Sequence, residues 1–520
     1  MDQAKLSHYE QKNIPLDPGV KISIDDLIDI LGSTVKHDDV NKAITFLAML
    51  LTYTDQDQIN IGFLAESSSG KSYIPLELSA YFPSEDVIKL GYASPTAFFH
   101  EHGVLMLKEG IPVSWKMKPT KAKVKEDLEF ERGVTPSKEE VEAEYQNRKL
   151  EWNEMLKESY YLVDLEKKIL IFLDMPHDQL LQRLRSLLSH DEREISLKIT
   201  DKRDKSGLRT KNVVVRGFPT VIFCSAKFSL EDQEKTRLLL LSPETSQEKL
   251  RESIALRIER ESDREAFLKM LEEDPKRKML KERVKMIKEA NIKNIIIPED
   301  LRSFVYEQFL EDHRYLLPRH QRDISRLLAL IKAHALLNFM HKERVNDSII
   351  AEMEDVEAGF KLYYSISEAN ELGLSPEIWN IYKKIEPHIS EEGITRKDFQ
   401  KIYFQEFHKP IGPKRASEIL SVLCSCGLLL EDIDPEDRRR KRYYLTEKIL
   451  PPGEGEFIFI PEVYEVLREH LKGPLNEETI IQRISIMKHC GPEEAKRIFQ
   501  ILVDEGKLAM NPNGMWEWSK

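Results

Sequence analysis

The sequence predicts a multidomain α/β protein with a P-loop core, a helical region after it and two small modules near the C-terminus. Three observations support this prediction: a phosphate-loop pattern between a strand and a helix, a second apolar strand ending in aspartate, and an internal repeat. A chain of 520 residues is also too long for one hydrophobic core. We therefore expect about three or four domains.

Composition excludes several classes of protein. Charged residues make up 32% of the chain and hydrophobic residues 41%, which is typical of a soluble protein. No run of about 18 apolar residues occurs, so we expect no membrane span. Residues 1–5 lack the basic and apolar regions of a signal peptide, and the four cysteines show neither disulfide nor zinc spacing. These features predict a cytoplasmic location.

The net charge of −12 bears on possible partners. An acidic protein repels the phosphates of nucleic acid on average. Any contact with DNA must therefore come from local basic patches.

The first motif is Ala65-Glu66-Ser67-Ser68-Ser69-Gly70-Lys71-Ser72. It follows the apolar run Ile59 to Leu64 and opens into a segment that can form a helix, as a phosphate-binding loop requires. Ala65 replaces the usual first glycine, and a Gly-Lys-Ser tripeptide alone also arises by chance in loops. The motif predicts ATP and Mg²⁺ as ligands, with Lys71 on the β/γ-phosphates and Ser72 on the metal. The predicted nucleotide-binding residues are Glu66, Ser67, Ser68, Ser69, Gly70, Lys71 and Ser72.

The second motif is Ile169-Leu170-Ile171-Phe172-Leu173-Asp174. Apolar residues ending in aspartate predict a buried parallel strand with a carboxylate at its ligand-binding end. Asp174 is thus the second predicted Mg²⁺ ligand. Met175 stands where a glutamate usually orients the attacking water, and His177 and Asp178 remain open as substitutes.

The region from 113 to 160 interrupts the α/β alternation. It begins with a lysine-rich stretch, Lys116 to Lys125, and continues into a glutamate-rich helical pattern, Lys138 to Lys157. We expect either a solvated helical insertion or a mobile arm that touches DNA or a neighbouring subunit.

A hairpin follows. Glu194 to Thr200 and Lys211 to Arg216 alternate on either side of a glycine-containing loop. The tip carries Lys202, Arg203, Lys205 and Arg209, which are either only solvated or contact DNA. Pro219 to Ser225 then predicts another apolar strand that ends in small polar residues.

The order of these parts resembles that of AAA+ ATPases, in the branch with a β-hairpin before the sensor-1 strand, which includes the minichromosome maintenance (MCM) helicases. The resemblance covers roughly residues 40–365. It implies a sensor-1 role for Ser225, where asparagine is more usual. It also implies an arginine finger at Arg237, acting on the next subunit's γ-phosphate, and a sensor-2 role for Arg322 early in the lid helix, with Arg319 and Arg326 as alternatives.

By the same resemblance, the chain would be an ATP-dependent DNA helicase or translocase that forms a homo-oligomeric ring, a hexamer, in replication. Lys202, Arg203 and Lys205 would grip DNA in the pore. No zinc-bearing DNA-binding domain precedes the core, which suggests an archaeal or mobile-element relative. The rival interpretation is an initiator or regulatory ATPase that assembles on DNA with little turnover, and Met175 favours it.

The C-terminal part contains an internal repeat with a constant offset, 491 − 412 = 79 residues. Seven residues recur at the same spacing: Gly412, Pro413, Ala416, Ile419, Leu423, Gly427 and Leu429 in the first copy, and Gly491, Pro492, Ala495, Ile498, Leu502, Gly506 and Leu508 in the second. Proline begins a helix and glycine ends it. A strand, a turn and an aromatic strand follow in each copy, so we predict two winged helices.

The two copies differ in charge. The first carries basic residues at its helix start and in its wing, which suits DNA contact: Lys414, Arg415, Arg438, Arg439, Arg440, Lys441 and Arg442. The second has Glu493 and Glu494 at the helix start, which favours packing or contact with a replication partner. Both modules could instead mediate only protein contacts.

These patterns give the predicted domain boundaries. They are an N-terminal helical segment (1–40), an AAA+ core (41–245) with a charged helical insertion (about 105–160) and a basic hairpin (193–217), a helical lid (246–370), and winged helices at 371–450 and 456–520.

Overall fold

A computed structural model of the chain describes residues 17–66, 68–91, 103–114, 117–176, 178–188, 190, 192–201, 209–225, 237–313, 316, 319–390, 393–433, 440–446, 473–488, 496, 498–500, 502–503, 507–511 and 515–518. Its helices are α1 Ile24–Leu31, α2 Asp39–Leu50, α3 Tyr73–Leu78, α4 Lys121–Arg132, α5 Lys138–Glu158, α6 Asp178–Leu188, α7 Gln247–Ser262, α8 Arg264–Glu273, α9 Pro275–Ala290, α10 Glu299–Asp312, α11 His320–Leu337, α12 Met353–Tyr364, α13 Ser367–Glu371, α14 Pro376–Ile385, α15 Arg396–Phe407, α16 Pro413–Ser425 and α17 Glu477–Lys488.

The strands are β1 Ile61–Leu64, β2 Val87–Leu90, β3 Val104–Met106, β4 Tyr160–Asp164, β5 Ile169–Phe172, β6 Glu194–Asp201, β7 Arg209–Arg216, β8 Thr220–Ser225, β9 Leu239–Leu241, β10 Asn294–Ile296, β11 Arg344–Val345, β12 Ser348–Ile350, β13 Ile394–Thr395, β14 Leu429–Ile433, β15 Lys441–Leu445, β16 Leu508–Met510 and β17 Trp516–Trp518.

Local sequence explains where several helices begin. A hydroxyl side chain accepts from the backbone N–H three residues later, and the acidic residue there accepts from the first N–H in return. Among the helix starts that the structure describes, this reciprocal cap occurs at α1 (Ser23 with Asp26), α5 (Ser137 with Glu140) and α15 (Thr395 with Asp398).

The centre of the structure is a five-stranded parallel sheet in the order β2-β5-β8-β1-β9. Ile171 and Ile222 point into one buried apolar layer, and their neighbours Phe172 and Phe223 point into the other. Both faces of the sheet are therefore covered, as the near-continuous apolar strands predict. The predicted α/β fold with a mostly parallel sheet is confirmed.

The edge strand β9 is closed by a side chain. The Asn370 amide donates to the carbonyl of Leu240 at 3.0 Å, and its oxygen accepts from the Leu240 N–H at 2.8 Å. The amide thus takes the place of a neighbouring backbone, and this edge is blocked against strand addition at that point.

A second, four-stranded sheet has the order β3-β4-β7-β6. Its hairpin β6–β7 is paired from Glu194↔Arg216 to Asp201↔Arg209. Strand β4 runs parallel to β7, so the chain after the two charged helices α4 and α5 returns to the fold as a strand. The pattern for residues 105–160 predicted only helical structure, and it missed β3, β4 and this pairing.

The helices of the predicted lid pack into the core of the central sheet. Leu280, Leu330 and Val356 belong to the same buried cluster as Phe46 of α2 and Ile171 of β5. The helices beyond the predicted boundary near residue 245 therefore share one hydrophobic core with the central sheet.

The described residues of the segment 371–450, here called module 1, have a hydrophobic core of their own. Helices α14, α15 and α16 surround buried residues such as Tyr382, Phe399 and Leu420, and the strands form a sheet in the order β13-β15-β14. Further along, α17 packs near the hairpin of β16 and β17 through a small cluster that includes Ile484 and Leu508. In the described parts of the chain, no helix has the length and apolar character that a membrane crossing requires.

Candidate functional site

The loop of residues 65–72 leaves the carboxyl end of β1. The Ala65 N–H donates to the carbonyl of Ser225 at 3.2 Å, which fixes the loop against the end of β8. Ser68 and Gly70 have φ values of 66° and 94°, a conformation that glycine adopts without strain. The Gly70 carbonyl then accepts from the N–H groups of Tyr73 and Ile74, so α3 begins directly after the loop. Ser67 lies outside the described residues.

The backbone carbonyl of Glu66 accepts hydrogen bonds from two side chains of the loop. Lys71 Nζ donates to it at 3.1 Å and Ser69 Oγ at 2.8 Å. A carbonyl is a weaker acceptor for an ammonium group than an anionic oxygen. The lysine therefore lies in the loop with an acceptor that a phosphate can replace.

The ends of three strands meet beside this loop. Ser225 ends β8 and is buried, in register with Leu64 at the end of β1. Asp174 follows β5, is exposed, and accepts from the Met175 N–H at 2.8 Å. The structure thus brings the predicted Lys71, Asp174 and Ser225 to one edge of the sheet.

Cys224, next to Ser225 in β8, lies close to the loop. Its thiol donates to the Lys71 carbonyl at 3.5 Å. Burial, with a smaller contribution from the Asp174 carboxylate, raises the pKa of this thiol to about 11, while Ser72 and Lys71 act in the opposite direction. Sequence reasoning did not assign Cys224 to the site, and only the β8–β1 pairing could have placed it there.

The position after Asp174 holds no carboxylate. Met175 packs partly buried against the second apolar layer. His177 and the Asp178 side chain, the two predicted substitutes, lie outside the described residues. Mg²⁺ prefers oxygen ligands, and the Ser72 hydroxyl and the Asp174 carboxylate are such ligands.

Module 1 contacts the loop. Arg415 Nε lies 3.2 Å from Glu66 Oε1, and its Nη2 lies 3.7 Å from Glu377 Oε1. The Arg415 side chain is only 14% exposed. This placement argues against the predicted DNA contact for Arg415, because the guanidinium faces the loop and not the solvent. The sequence carries no local signal for a pair 349 residues apart.

A second set of predicted residues lies at the opposite edge of the sheet. Arg237 occurs in the turn before β9, and it lines a cavity of about 460 Å³ together with Arg322 of α11. Residues 56–60, which lead into β1, line the same cavity. It therefore lies near the amino ends of the strands, about 13 Å from the loop if β1 rises about 3.3 Å per residue.

The two alternatives to Arg322 make contacts within the chain. Arg319 pairs with Asp323 at 2.9 Å and donates to the carbonyl of Asn370. Arg326 pairs with the same Asp323 and donates to the carbonyl of Leu238 at 2.8 Å. Arg326 also lines the cavity but is buried, whereas Arg322 lines it and is exposed.

The predicted DNA-binding residues are only partly described. Lys202, Arg203 and Lys205 at the predicted hairpin tip lie outside the described residues, as do Arg438 and Arg439 of the predicted wing. Lys414 is exposed at the start of α16, and Arg440, Lys441 and Arg442 lie at or near β15. Glu493 and Glu494 of the second repeat also lie outside the described residues. Comparison with protein-family models and with curated proteins finds no match to this chain.

Proposed function

We propose that this chain is an ATPase of the AAA+ class, related to the MCM helicases, that works on DNA as a homo-hexameric ring. The supporting observation is the division of polar residues between the two edges of the central sheet. Lys71, Asp174 and Ser225 lie at the carboxyl edge, whereas Arg237 and Arg322 line a cavity at the amino edge. Head-to-tail contacts in a ring join two different surfaces of identical subunits. We propose that the carboxyl edge of the sheet in one subunit faces the amino edge of the sheet in the next subunit.

The donor set at the carboxyl edge fits Mg-ATP. Lys71 offers an ammonium group to the phosphates, and the N–H groups of loop 65–72 lead into a helix N-terminus. Ser72 and Asp174 would hold Mg²⁺, which when bound neutralises charge on the β- and γ-phosphates.

Hydrolysis would depend on assembly. Arg237 and Arg322 of one subunit would stabilise the charge that develops on the γ-phosphoryl group held by the next subunit. Ser225 would position the attacking water from the end of β8. Met175 cannot orient water, so we expect slow turnover unless His177 or Asp178 supplies that role.

The contact with DNA is proposed from two elements. The strands β6 and β7 are paired up to Asp201 and Arg209. The sequence between them carries Lys202, Arg203 and Lys205, which we propose grip DNA in a pore. The element order of module 1, α14-β13-α15-α16-β14-β15, supports a winged helix with exposed Lys414 and Lys441. The second repeat is proposed as a winged helix for packing or a replication partner.

Met175 also supports the second candidate, an initiator or regulatory ATPase that assembles on DNA. Such a protein binds Mg-ATP with the same residues but turns over little. Strand displacement separates the two candidates, since only the motor unwinds DNA.

The test is ATP hydrolysis with and without DNA, together with strand displacement, for the native chain and Lys71→Ala. We expect DNA-stimulated hydrolysis that falls about a hundredfold or more in the variant, the effect of losing a group that stabilises the transition state. Lys285→Ala, which changes an exposed lysine of α9, is the matched control and should behave as native. Unwinding by Lys71→Ala at the native rate would refute the motor.

A further inference from the structure

Arg415 connects module 1 with the second residue of the nucleotide loop. It is the third residue of α16, and its guanidinium lies 3.2 Å from the Glu66 carboxylate. The same guanidinium lies 3.7 Å from Glu377 of α14 and 3.8 Å from Glu418. A side chain from a separately packed module therefore reaches the loop that is proposed to bind phosphate.

Glu377 is the second carboxylate at this contact and is 11% exposed. Its Oε2 has no hydrogen-bond partner among the described residues. Burial, with a smaller contribution from the Glu66 carboxylate, raises the pKa of Glu377 to about 7, while Arg415, Lys409 and Lys71 oppose the shift. Glu377 thus lies within electrostatic range of both Arg415 and the loop lysine.

Two cations contact different groups of Glu66. Lys71 donates to its backbone carbonyl at 3.1 Å, and Arg415 binds its side chain. A polyphosphate bound at Lys71 carries more negative charge than one carboxylate, and the planar guanidinium matches phosphate oxygens in bidentate geometry. Phosphates arriving in the loop therefore compete with Glu66 for Arg415.

We propose that Arg415 binds the polyphosphate of the bound nucleotide in the same chain, so that module 1 closes over the nucleotide site. This proposal rests on the proposed ATPase function. Glu66 and Glu377 hold the guanidinium beside the loop until the phosphates replace Glu66 as its partner. Nucleotide binding and docking of module 1 are then linked, and each strengthens the other by the same factor.

The test measures Mg-ATP affinity for Arg415→Ala in two backgrounds, native and Glu66→Ala. A phosphate contact predicts that affinity falls about tenfold or more in both, the scale of a hydrogen bond between charged groups. Arg415→Lys should lose less, since it keeps the charge without the fork. Lys397→Ala, an exposed lysine of module 1, is the control and should bind as native.

If Arg415→Ala weakens binding in the native chain but not in Glu66→Ala, Arg415 acts only through Glu66 and the proposal is wrong. The proposal would also be wrong if Arg415→Ala left the affinity for Mg-ATP unchanged in both backgrounds. A native chain that does not bind Mg-ATP, or Lys71→Ala binding as tightly as native, would instead refute the proposed function.

Amide hydrogen exchange gives a second readout that does not depend on the affinity. Mg-ATP should slow amide exchange in α16 of the native chain. In Arg415→Lys, Mg-ATP should slow exchange in α16 less than in the native chain, or not at all. Faster exchange in native α16 on binding Mg-ATP would mean that nucleotide releases the module, which contradicts closure.

Discussion

At the scale of single residues, one buried lysine, Lys342, is surrounded by three carboxylates. Lys342 is fully buried, and its Nζ lies 2.7 Å from Asp355, 2.9 Å from Glu352 and 2.8 Å from Glu354. Burial alone would lower the pKa of Lys342, but hydrogen bonds to the three carboxylates raise it above its ordinary value. Asp355 also contacts His334 of α11 at 2.6 Å. This network joins the start of α12 to α11.

Replacement of Lys342 should therefore be costly. Lys342→Ala leaves a fully buried carboxylate without its main cation, and breaking a buried pair in this way costs about 3–5 kcal/mol. We expect a fall of this size in the free energy of unfolding, measured by denaturant titration. Lys361→Ala is the control because its pair with Asp25 is exposed, and it should change stability little. Equal stabilities of the two variants would show that the network contributes nothing.

At the scale of elements, close packing of α12 on α11 depends on a glycine. A Cβ added at Gly359 would overlap the Ile331 side chain at Cγ1 and would lie 3.0 Å from the Ile331 backbone nitrogen. A backbone atom in a helix cannot move aside. The two helices therefore pack backbone against backbone at this point, beneath the central sheet.

Gly359→Ala tests this contact. Alanine gains about 1 kcal/mol in helix propensity, but forced overpacking costs about 1–3 kcal/mol. Because the added Cβ meets backbone as well as side-chain atoms of Ile331, we expect a net loss of stability, seen as a lower melting temperature. Gly91→Ala places its Cβ in open space and should not lower it. An unchanged or higher melting temperature for Gly359→Ala would show that α12 moves freely.

Sequence patterns predicted the strands that consist of continuous apolar runs. Ile169 to Asp174 and Pro219 to Ser225 gave β5 and β8, because buried parallel strands need continuous apolar residues. Short strands were missed: β9 is a leucine run that fits a helix equally well, and β4 follows directly on the charged helix α5.

At the scale of the whole molecule, the candidate site was only partly predictable. Lys71 and Asp174 occur in local sequence motifs, and the pattern of each motif was enough to predict a phosphate-binding and a metal-binding role. The pairing of Glu66 with Arg415 depends on how module 1 docks, and no local pattern encodes a contact between distant segments. Likewise, Arg237 and Arg322 meet in one cavity only because β9 and α11 lie side by side with the start of β1.

In the proposed ring, opposite edges of the central sheets of two neighbouring subunits form one site. Subunit mixing tests it directly, with Lys71→Ala, which keeps Arg237, and Arg237→Ala, which keeps Lys71. Each variant alone should lose DNA-stimulated ATP hydrolysis. Mixed assemblies should regain part of it, because some interfaces then pair an intact Lys71 with an intact Arg237. Native-level hydrolysis by Arg237→Ala alone, or no recovery in mixtures that do assemble, would contradict the account.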